Sequence, residues 1–303
     1  MSDSPPRVGR VAATVGLWGL RLLGFIPAHL PPALGLALGR RLGDLLWWIL
    51  PRRRRVALQN IERSLGRELG PAEVRRLARR SFQHVGMNLV EACRYFLRPT
   101  DVMVSRVHVA GAEHLRRAAA AGRGILVLTA HYGNWELLAA AHGLTGLSLS
   151  FVVRPLDDPI LDELVDRFRR RSGAELIVKH RAVREVMQAL RRGRMVGILL
   201  DQNATREEGV FVPFFGIPAS TSKGLALLAL RTGAPVVPVF LRREADGRHC
   251  MDVRPPLPPP ADADVLAYTA AFNEAIEEAI RRAPEQWLWM HARWRTRPRE
   301  VVS

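Results

Sequence analysis

A histidine and a glutamate five residues apart, His131 and Glu136, lie in the segment GILVLTAHYGNWELLAA, where a buried-type strand gives way to a helix. A carboxylate on one imidazole nitrogen fixes the tautomer, and the other nitrogen can then take a proton from a hydroxyl. Gly133 permits a tight bend, and Asn134 is expected to cap the helix. The pattern favours acyl transfer to an alcohol, with His131 as general base and Glu136 as its orienting carboxylate.

The spacing of this pair is not specific by itself. His108 with Glu113 and His180 with Glu185 have the same spacing. Neither of these pairs contains the Gly-Asn turn, and Glu185 would lie deeper in its helix and face away from its histidine. The alternative interpretation of the first pair is a turn histidine that a nearby carboxylate satisfies.

The elements that must position the pair are short apolar runs that alternate with helical stretches, a pattern typical of an α/β core. The predicted strands are Gly124–Ala130, Leu149–Val153, Glu175–Lys179, Met195–Leu200, Val236–Leu241 and Cys250–Arg254. The predicted helices are Pro71–Phe96, Trp135–His142, Pro159–Ser172, Arg181–Arg192, Ser220–Thr232 and Val265–Arg282. Pro71–Phe96 is amphipathic and is interpreted as scaffold. His131 falls at a strand end, where α/β sheets bind ligands.

Composition and charge narrow the classes of partner. The 303 residues, 48% of them hydrophobic, suffice for one large domain or two small ones and exclude a disordered chain. The net charge of +16 favours an anionic membrane surface, although the cations are mostly arginine, as a GC-rich genome also produces. Without a nucleic-acid-binding motif, nucleic acid is not an expected partner. Cys93 and Cys250 lie far apart without a CxxC motif, which predicts a reducing compartment and excludes a disulfide framework and a zinc ribbon.

Residues 1–55 are predicted to anchor the protein to a membrane. Apolar residues fill this segment, but Arg21 and several prolines interrupt them, so no clean run of ~20 residues could span a bilayer, and a cleaved signal peptide is not expected. Trp47 and Trp48, next to Arg52–Arg55, resemble an interfacial rim that would bind anionic head groups at about 1 kcal/mol per close cation. A buried helix pair is the alternative.

Four ordered blocks extend the pattern around His131. They are TAHYGNWELLA, VVRPLDDP, LLDQNATREEGVFVPFFGIPASTSKGLALLALRTGAPVVPVF and PEQWLWMHARWRTRP. In order and spacing they resemble the lauroyl/myristoyl acyltransferases of lipid A biosynthesis, within the broader lysophospholipid and glycerolipid acyltransferase superfamily. The resemblance begins near residue 52, with RRRRVALQNIERSLG. It implies an α/β fold with a mixed central sheet flanked by helices, as in glycerolipid acyltransferases.

The resemblance also implies what the site does. The expected enzyme is membrane-associated and moves a fatty acyl chain from a thioester to a glycolipid hydroxyl, without metal, cofactor or covalent intermediate. His131 carries over as general base, Glu136 as its orienting carboxylate and Arg154 as a binding-site cation. The donor is an acyl thioester of acyl carrier protein or of coenzyme A, and the acceptor is a lipid A precursor or a related glycolipid. The expected location is the cytoplasmic face of the inner membrane.

Further residues receive provisional substrate-binding roles. Arg154 ends a strand and could hold a phosphate, or it could form a surface ion pair. Asp201 and Gln202 end another strand and could position the acceptor sugar, or they could cap a turn. Ser220 and Thr221 are interpreted as the start of a helix that could bind a phosphate. Asn134 completes the predicted substrate-binding set. Phe211, Phe214 and Phe215 belong either to an acyl-chain groove or to the core.

The predicted organisation is an anchor over residues 1–55 followed by one acyltransferase domain over 56–303. That domain comprises a helical lead-in (56–100), a catalytic α/β core (101–282) and a C-terminal cap (283–303) rich in tryptophan. Two alternatives to a lipid A acyltransferase remain. One is an acyltransferase for another membrane lipid, such as a phosphatidylinositol mannoside or a lysophospholipid, and the other is a non-catalytic basic protein that binds membranes.

Overall fold

The computed structural model describes residues 24–153, 162, 166, 169–178 and 182–299. Residues 24–29 are helical. The α-helices after them include α1 (Pro32–Ile49), α2 (Pro51–Leu65), α3 (Pro71–Leu97), α4 (Thr100–Val104), α5 (Ala112–Ala120), α6 (Trp135–Ala140), α7 (Ala182–Arg191), α8 (Gly224–Thr232) and α9 (Val265–Arg282). The strands are β1 (Val107–Ala110), β2 (Ile125–Thr129), β3 (Leu149–Val153), β4 (Glu175–Val178), β5 (Met195–Leu199), β6 (Gly209–Phe214), β7 (Ile217–Ser222), β8 (Val236–Arg243) and β9 (His249–Val253).

Seven of these strands form one mixed sheet in the order β1-β9-β8-β2-β5-β3-β4. Neighbouring strands run parallel except β8 and β9, which are antiparallel. Strands β6 and β7 form a separate antiparallel hairpin. The expected α/β fold with a mixed central sheet flanked by helices is therefore confirmed.

The sheet is buried on both faces, because alternate residues of its central strands enter two different cores. Leu126 and Leu128 of β2 pack into one core with α9 and the C-terminal segment. Ile125 and Val127 pack into the other core, with α5 and α6. A parallel strand that is covered on both faces has a continuous run of apolar residues, and such a run predicts β2 from the sequence.

The predicted strands match β2, β3, β4, β5, β8 and β9, and the sequence pattern missed β1, β6 and β7. Strand β1 is short and alternates between half-buried and exposed residues at the sheet edge. Pro213 argues against a strand in β6, yet it lies in an isolated hairpin where no third strand needs its missing N–H.

The helix predicted over Ser220–Thr232 begins later than expected, at Gly224. Ser220 and Thr221 instead belong to β7, where they pair with Phe211 and Val210 of β6. The expectation that these two residues start a helix is therefore wrong. The pairing with β6 continues as far as Ser222, opposite Gly209, so the chain stays extended through both residues and can begin a helix only after them.

The other helix predictions are confirmed with small changes in their ends. The observed helices α3, α7 and α9 correspond to the predicted Pro71–Phe96, Arg181–Arg192 and Val265–Arg282. Helix α6 ends at Ala140 and continues as the 3₁₀ helix Ala141–Thr145. Most of the predicted helix Pro159–Ser172 lies outside the described residues.

Helix α1 packs against α3 along a seam of glycines. Added Cβ atoms at Gly39 and Gly43 of α1 would overlap the backbone of α3, and one at Gly86 of α3 would overlap the backbone of α1. Any larger residue at these positions must push the two helices apart. The N-terminal segment is thus joined to the rest of the fold by direct backbone contact.

A second face of α1 is exposed and mostly apolar, although the exposed side chain of Arg41 also lies on it. Leu34, Leu38, Leu45, Trp48 and Ile49 on this face are between 40% and 68% exposed. Within the described ranges, no helix combines the length and the apolar character that crossing a membrane requires.

Trp47 does not belong to the predicted aromatic rim, and the predicted domain boundary falls within a helix. Trp47 is buried against Phe82, with their ring centroids 5.4 Å apart, whereas Trp48 is exposed. The boundary expected between residues 55 and 56 falls inside α2. The division into anchor and acyltransferase domain stays a prediction.

The C-terminal segment folds as a cap whose aromatic side chains are core. Trp287, Trp289 and Trp294 are buried together with Phe214 and Phe215. Phe214 and Phe215 therefore belong to the core and do not line an acyl-chain groove.

Candidate active site

His131 and Asp201 lie side by side because their strands share a register. His131 is two residues beyond the end of β2, and Asp201 is two residues beyond the end of β5. These strands are parallel neighbours, with Thr129 paired to Leu199. Both residues therefore emerge at the carboxyl edge of the sheet, where open α/β sheets bind ligands.

The Asp201 carboxylate holds His131 through two contacts. Its Oδ1 lies 2.8 Å from His131 Nδ1, and its Oδ2 accepts from the His131 backbone N–H at 3.0 Å. An ionised carboxylate only accepts, so Nδ1 carries the proton and Nε2 of the neutral ring has a free lone pair. The His131 side chain is 20% exposed, so part of the ring reaches the surface.

Asp201 itself is buried and kept ionised by its partners. The indole Nε1 of Trp287 donates to Asp201 Oδ2 at 2.8 Å. Burial alone would raise the pKa of Asp201, but the charge and hydrogen bonds of His131 and the Trp287 hydrogen bond outweigh it, and the pKa lies below its usual value. The carboxylate is therefore charged at neutral pH and available to stabilise an imidazolium.

Gln202 lies against the second ring nitrogen of His131. Its Nε2 is 3.2 Å from His131 Nε2, which suits an amide N–H that donates to the unprotonated ring nitrogen. A substrate hydroxyl would have to take this place. The predicted role of Gln202 in substrate positioning is thus compatible with its location and stays a prediction.

Glu136 has a different partner from the one that the sequence predicts. Its carboxylate accepts two hydrogen bonds from Arg169, at 2.8 and 3.1 Å. Both ring nitrogens of His131 already face Asp201 and Gln202. The expected contact between Glu136 and His131 is therefore not made, because a forked guanidinium holds the carboxylate from another direction. A catalytic role for Glu136 stays a prediction.

The turn between β2 and α6 is built as the sequence predicts. Gly133 has φ = +61°, and a Cβ there would overlap the carbonyl oxygen of Leu241. Asn134 caps α6, since its Oδ1 accepts from the Leu137 N–H at 3.1 Å. The Asn134 side chain is buried and its amide nitrogen is bonded within the protein, which disfavours the predicted direct contact with a substrate.

The structure does not bring Ser220 and Thr221 to an open surface. Both are fully buried, Ser220 Oγ donates to the Thr205 carbonyl, and Thr221 Oγ1 accepts from Arg293. They hold the C-terminal cap and, as placed, offer a phosphate no access. Arg154 lies outside the described residues.

One group of described side chains has the residue types of a metal site. Donor atoms of His108, Glu244 and Cys250 lie within 4.8 Å of one another at the β1 edge of the sheet. The guanidinium of Arg242 is 3.5 Å from the Glu244 carboxylate, so a cation already accompanies that acid. This group is separate from the His131 site.

Sequence reasoning singled out His131 but missed three contacts of the candidate site: Asp201 as the partner of His131, Trp287 as the donor to Asp201, and Arg169 as the partner of Glu136. A signal for Asp201 existed, because both His131 and Asp201 follow buried-type strands by two residues. The sequence does not show that β2 and β5 are neighbours in the sheet. Trp287 and Arg169 carry no local signal of this kind.

Comparison with known proteins places the chain in a family. Residues 8–296 match the family model described as bacterial lipid A biosynthesis acyltransferase. The chain is 32% identical to a lipid A biosynthesis lauroyltransferase of Escherichia coli over 92% of this chain and 91% of the relative. It is 30% identical to a lipid A biosynthesis palmitoleoyltransferase of the same organism over 86% of this chain and 85% of the relative.

Two further matches are more distant. A phosphatidylinositol mannoside acyltransferase of Mycobacterium tuberculosis is 30% identical over 61% of this chain and 59% of its own length. A solved 1-acyl-sn-glycerophosphate acyltransferase from Thermotoga maritima aligns with 82% of this chain and 99% of its own at 14% identity and a TM-score of 0.40. The family model and the two Escherichia coli relatives carry the assignment: the chain belongs to the bacterial lipid A biosynthesis acyltransferase family and is an enzyme that transfers acyl groups.

Proposed function

We propose that the protein moves a fatty acyl chain from an acyl thioester to a hydroxyl of a lipid A precursor or a related glycolipid. The observation that carries the proposal is the His131–Asp201 pair at the carboxyl edge of the sheet. The names of the Escherichia coli relatives support a lipid A precursor as the acceptor. The match to a phosphatidylinositol mannoside acyltransferase supports a phosphatidylinositol mannoside as the alternative acceptor.

In the proposed reaction the base acts at Nε2 of His131. The acceptor hydroxyl gives its proton to this nitrogen as its oxygen attacks the thioester carbonyl, and the charge of Asp201 stabilises the imidazolium. Collapse of the tetrahedral intermediate breaks the C–S bond, and the leaving thiolate takes the proton from Nε2. The displaced Gln202 amide is close enough to this nitrogen to donate to the carbonyl oxygen as its negative charge grows.

The remaining sequence predictions enter this proposal as follows. Glu136 lies in the first turn of α6 and holds the guanidinium of Arg169 in an ion pair. Arg154 remains the proposed binding-site cation. No step requires a metal or an organic cofactor.

The identity of the acyl donor can be tested through the salt dependence of kcat/KM. With a net charge of +16, the protein should attract the acidic acyl carrier protein over a longer range than it attracts a small coenzyme A thioester. We expect acyl carrier protein to give the higher kcat/KM at low salt. Because the screening length falls from about 10 Å at 0.1 M salt to about 3 Å at 1 M, the advantage should shrink as salt rises.

The measurement uses purified protein, lauroyl, myristoyl and palmitoleoyl thioesters of both carriers, and mass spectrometry of the lipid product. A lipid A precursor and a phosphatidylinositol mannoside serve as parallel acceptors. Equal rates with both carriers at low salt would assign the donor to coenzyme A. No acylated product with either acceptor would contradict the proposed function.

We also propose that the protein works at the cytoplasmic face of the inner membrane and that the apolar face of α1 contacts the lipid. Exposed Arg52, Arg53 and Arg55 follow this face in the first turns of α2 and would lie near anionic head groups. The contact would hold the active site close to a lipid acceptor.

Replacing Leu45 and Trp48 together by glutamate should weaken binding to anionic vesicles about tenfold or more, because two exposed apolar contacts are lost and two negative charges are added. Sedimentation with vesicles measures the effect. Leu227→Glu is the control, since Leu227 lies on α8 and is 47% exposed. Equal sedimentation of the double variant and the control would rule out α1 as the membrane-binding face.

A further inference from the structure

Helix α3 carries a buried polar stripe behind the active-site turn. Its members are His84, Asn88, Glu91 and Tyr95. Spacings of four, three and four residues place them on one face of the helix. His84, Glu91 and Tyr95 are buried and Asn88 is half-buried, although this helix looked like plain scaffold in the sequence.

Two members of the stripe donate to one carbonyl oxygen. Nε2 of His84 lies 3.0 Å from the Gly133 oxygen, and Asn88 Nδ2 lies 2.8 Å from the same atom. Burial, together with the charge of Arg243, lowers the pKa of His84 to about 3, so the ring is neutral. Because a carbonyl only accepts, the single ring proton must lie on Nε2.

The stripe also holds the residue after Gly133. Asn134 Nδ2 donates to Glu91 Oε2 at 2.6 Å and to the Tyr95 hydroxyl at 2.7 Å. Glu91 in turn pairs with both terminal nitrogens of Arg243, at the end of β8. Burial alone would raise the pKa of Glu91, but the charge of Arg243 outweighs it and holds this pKa below its usual range.

Gln286 of the C-terminal cap supports the turn from the other side. The Gly133 N–H donates to the Gln286 carbonyl at 3.0 Å. The Gln286 side chain bonds both backbone groups of Arg243, at 2.8 Å each. Gly133 is therefore fixed at its N–H by the C-terminal cap and at its carbonyl by α3.

We propose that His84 and Asn88 are positioning residues, which set the place of the His131 imidazole by orienting the Gly133 peptide. This inference rests on the proposed role of His131 as base. Gly133 is two residues from His131, so a rotated Gly133 peptide would move the base relative to Asp201 and the substrate. Misplacement of a reacting group by about 1 Å can cost about 10²-fold in rate.

The test compares variants that keep or lose the hydrogen bond. A glutamine at position 84 can place an amide N–H where Nε2 lies, and leucine cannot. We expect His84→Gln to keep kcat within about threefold of wild type and His84→Leu to lose about tenfold or more, with KM for both substrates unchanged. The double variant His84→Leu/Asn88→Leu should lose about 10²-fold, because the carbonyl then has no donor from α3.

Leu77→Ala is the matched control on the same helix. Leu77 is buried in the core and makes none of the hydrogen bonds to the turn, so this variant should lower the melting temperature yet keep kcat. If the leucine variants fail to fold, Asn88→Asp replaces them. It keeps the oxygen that accepts from Arg243 Nη2 at 2.7 Å but puts an acceptor against the Gly133 carbonyl, and it should lose about tenfold or more in kcat.

A His131→Ala variant separates the two hypotheses. If it is as active as wild type, the proposed base is wrong. If it is inactive while His84→Leu, the double variant and Asn88→Asp keep full kcat, only the positioning role is overturned. A loss in His84→Gln equal to that in His84→Leu would likewise overturn it, because the hydrogen bond would then not be what matters.

Discussion

Replacing His131 with alanine is expected to lower kcat by about 10²- to 10⁴-fold, the usual contribution of general acid–base catalysis. The ring is 20% exposed at the edge of the sheet, so its loss should leave the core intact. Asp201 keeps the His131 backbone N–H and the Trp287 indole as partners in the variant. Acyl transfer measured by mass spectrometry, with the melting temperature as a folding check, tests the expectation.

Two other histidines provide the comparison. His108 has the same spacing to an acid and is exposed on β1, so His108→Ala should keep full activity. The other histidine with this spacing is His180. Full activity in His131→Ala combined with a large loss in His180→Ala would show that the base had been assigned to the wrong pair.

The second large effect is expected from Asp201→Asn. Oδ2 of Asp201 accepts from two N–H donors, so in the variant the amide oxygen should stay there and the NH₂ group should turn to His131 Nδ1. The ring must then accept at Nδ1 and carry its proton on Nε2, where it cannot take one from a hydroxyl. The equivalent change in a serine-protease triad lowers kcat about 10⁴-fold, and we expect about 10³-fold or more here.

Steady-state kinetics of the folded variant test this expectation, and Asp252→Asn is the control. Asp252 lies on β9 and pairs with Arg254 and Arg282. The control therefore also loses a paired carboxylate, but it should keep kcat. Wild-type kcat in Asp201→Asn would contradict the role of Asp201. A large loss in Glu136→Gln alongside it would return that role to Glu136, as the sequence predicts.

His131 could be singled out from the sequence because the signals around it are local. A continuous apolar run marks β2, a glycine marks the bend and an asparagine marks the helix start, all within a few residues of His131. The strands of the sheet's centre were found in the same way, since burial on both faces leaves uninterrupted apolar runs.

The partner of His131 could not be found in this way, because it depends on strand order. Asp201 lies 70 residues from His131, and β5 rather than the next strand along the chain, β3, is the neighbour of β2. The nearer carboxylate of Glu136 was the natural choice from spacing alone.

The polar stripe of α3 was missed for a related reason. Apolar residues such as Leu77 and Phe82 repeat at helical spacing, and the polar residues between them look like a solvated face. In the fold, His84 and Glu91 are buried against the turn and Arg243, which a sequence period cannot show.

The glycine seam between α1 and α3 bears on how freely parts of this enzyme could be exchanged. Gly39, Gly43 and Gly86 bring the two backbones into contact, and α3 is also the helix that supports the Gly133 turn. A generic hydrophobic tail grafted in place of α1 would carry side chains where the seam has none. Helix α1 and the rest of the fold are therefore not independent modules, because any replacement for α1 would also need small residues along the seam.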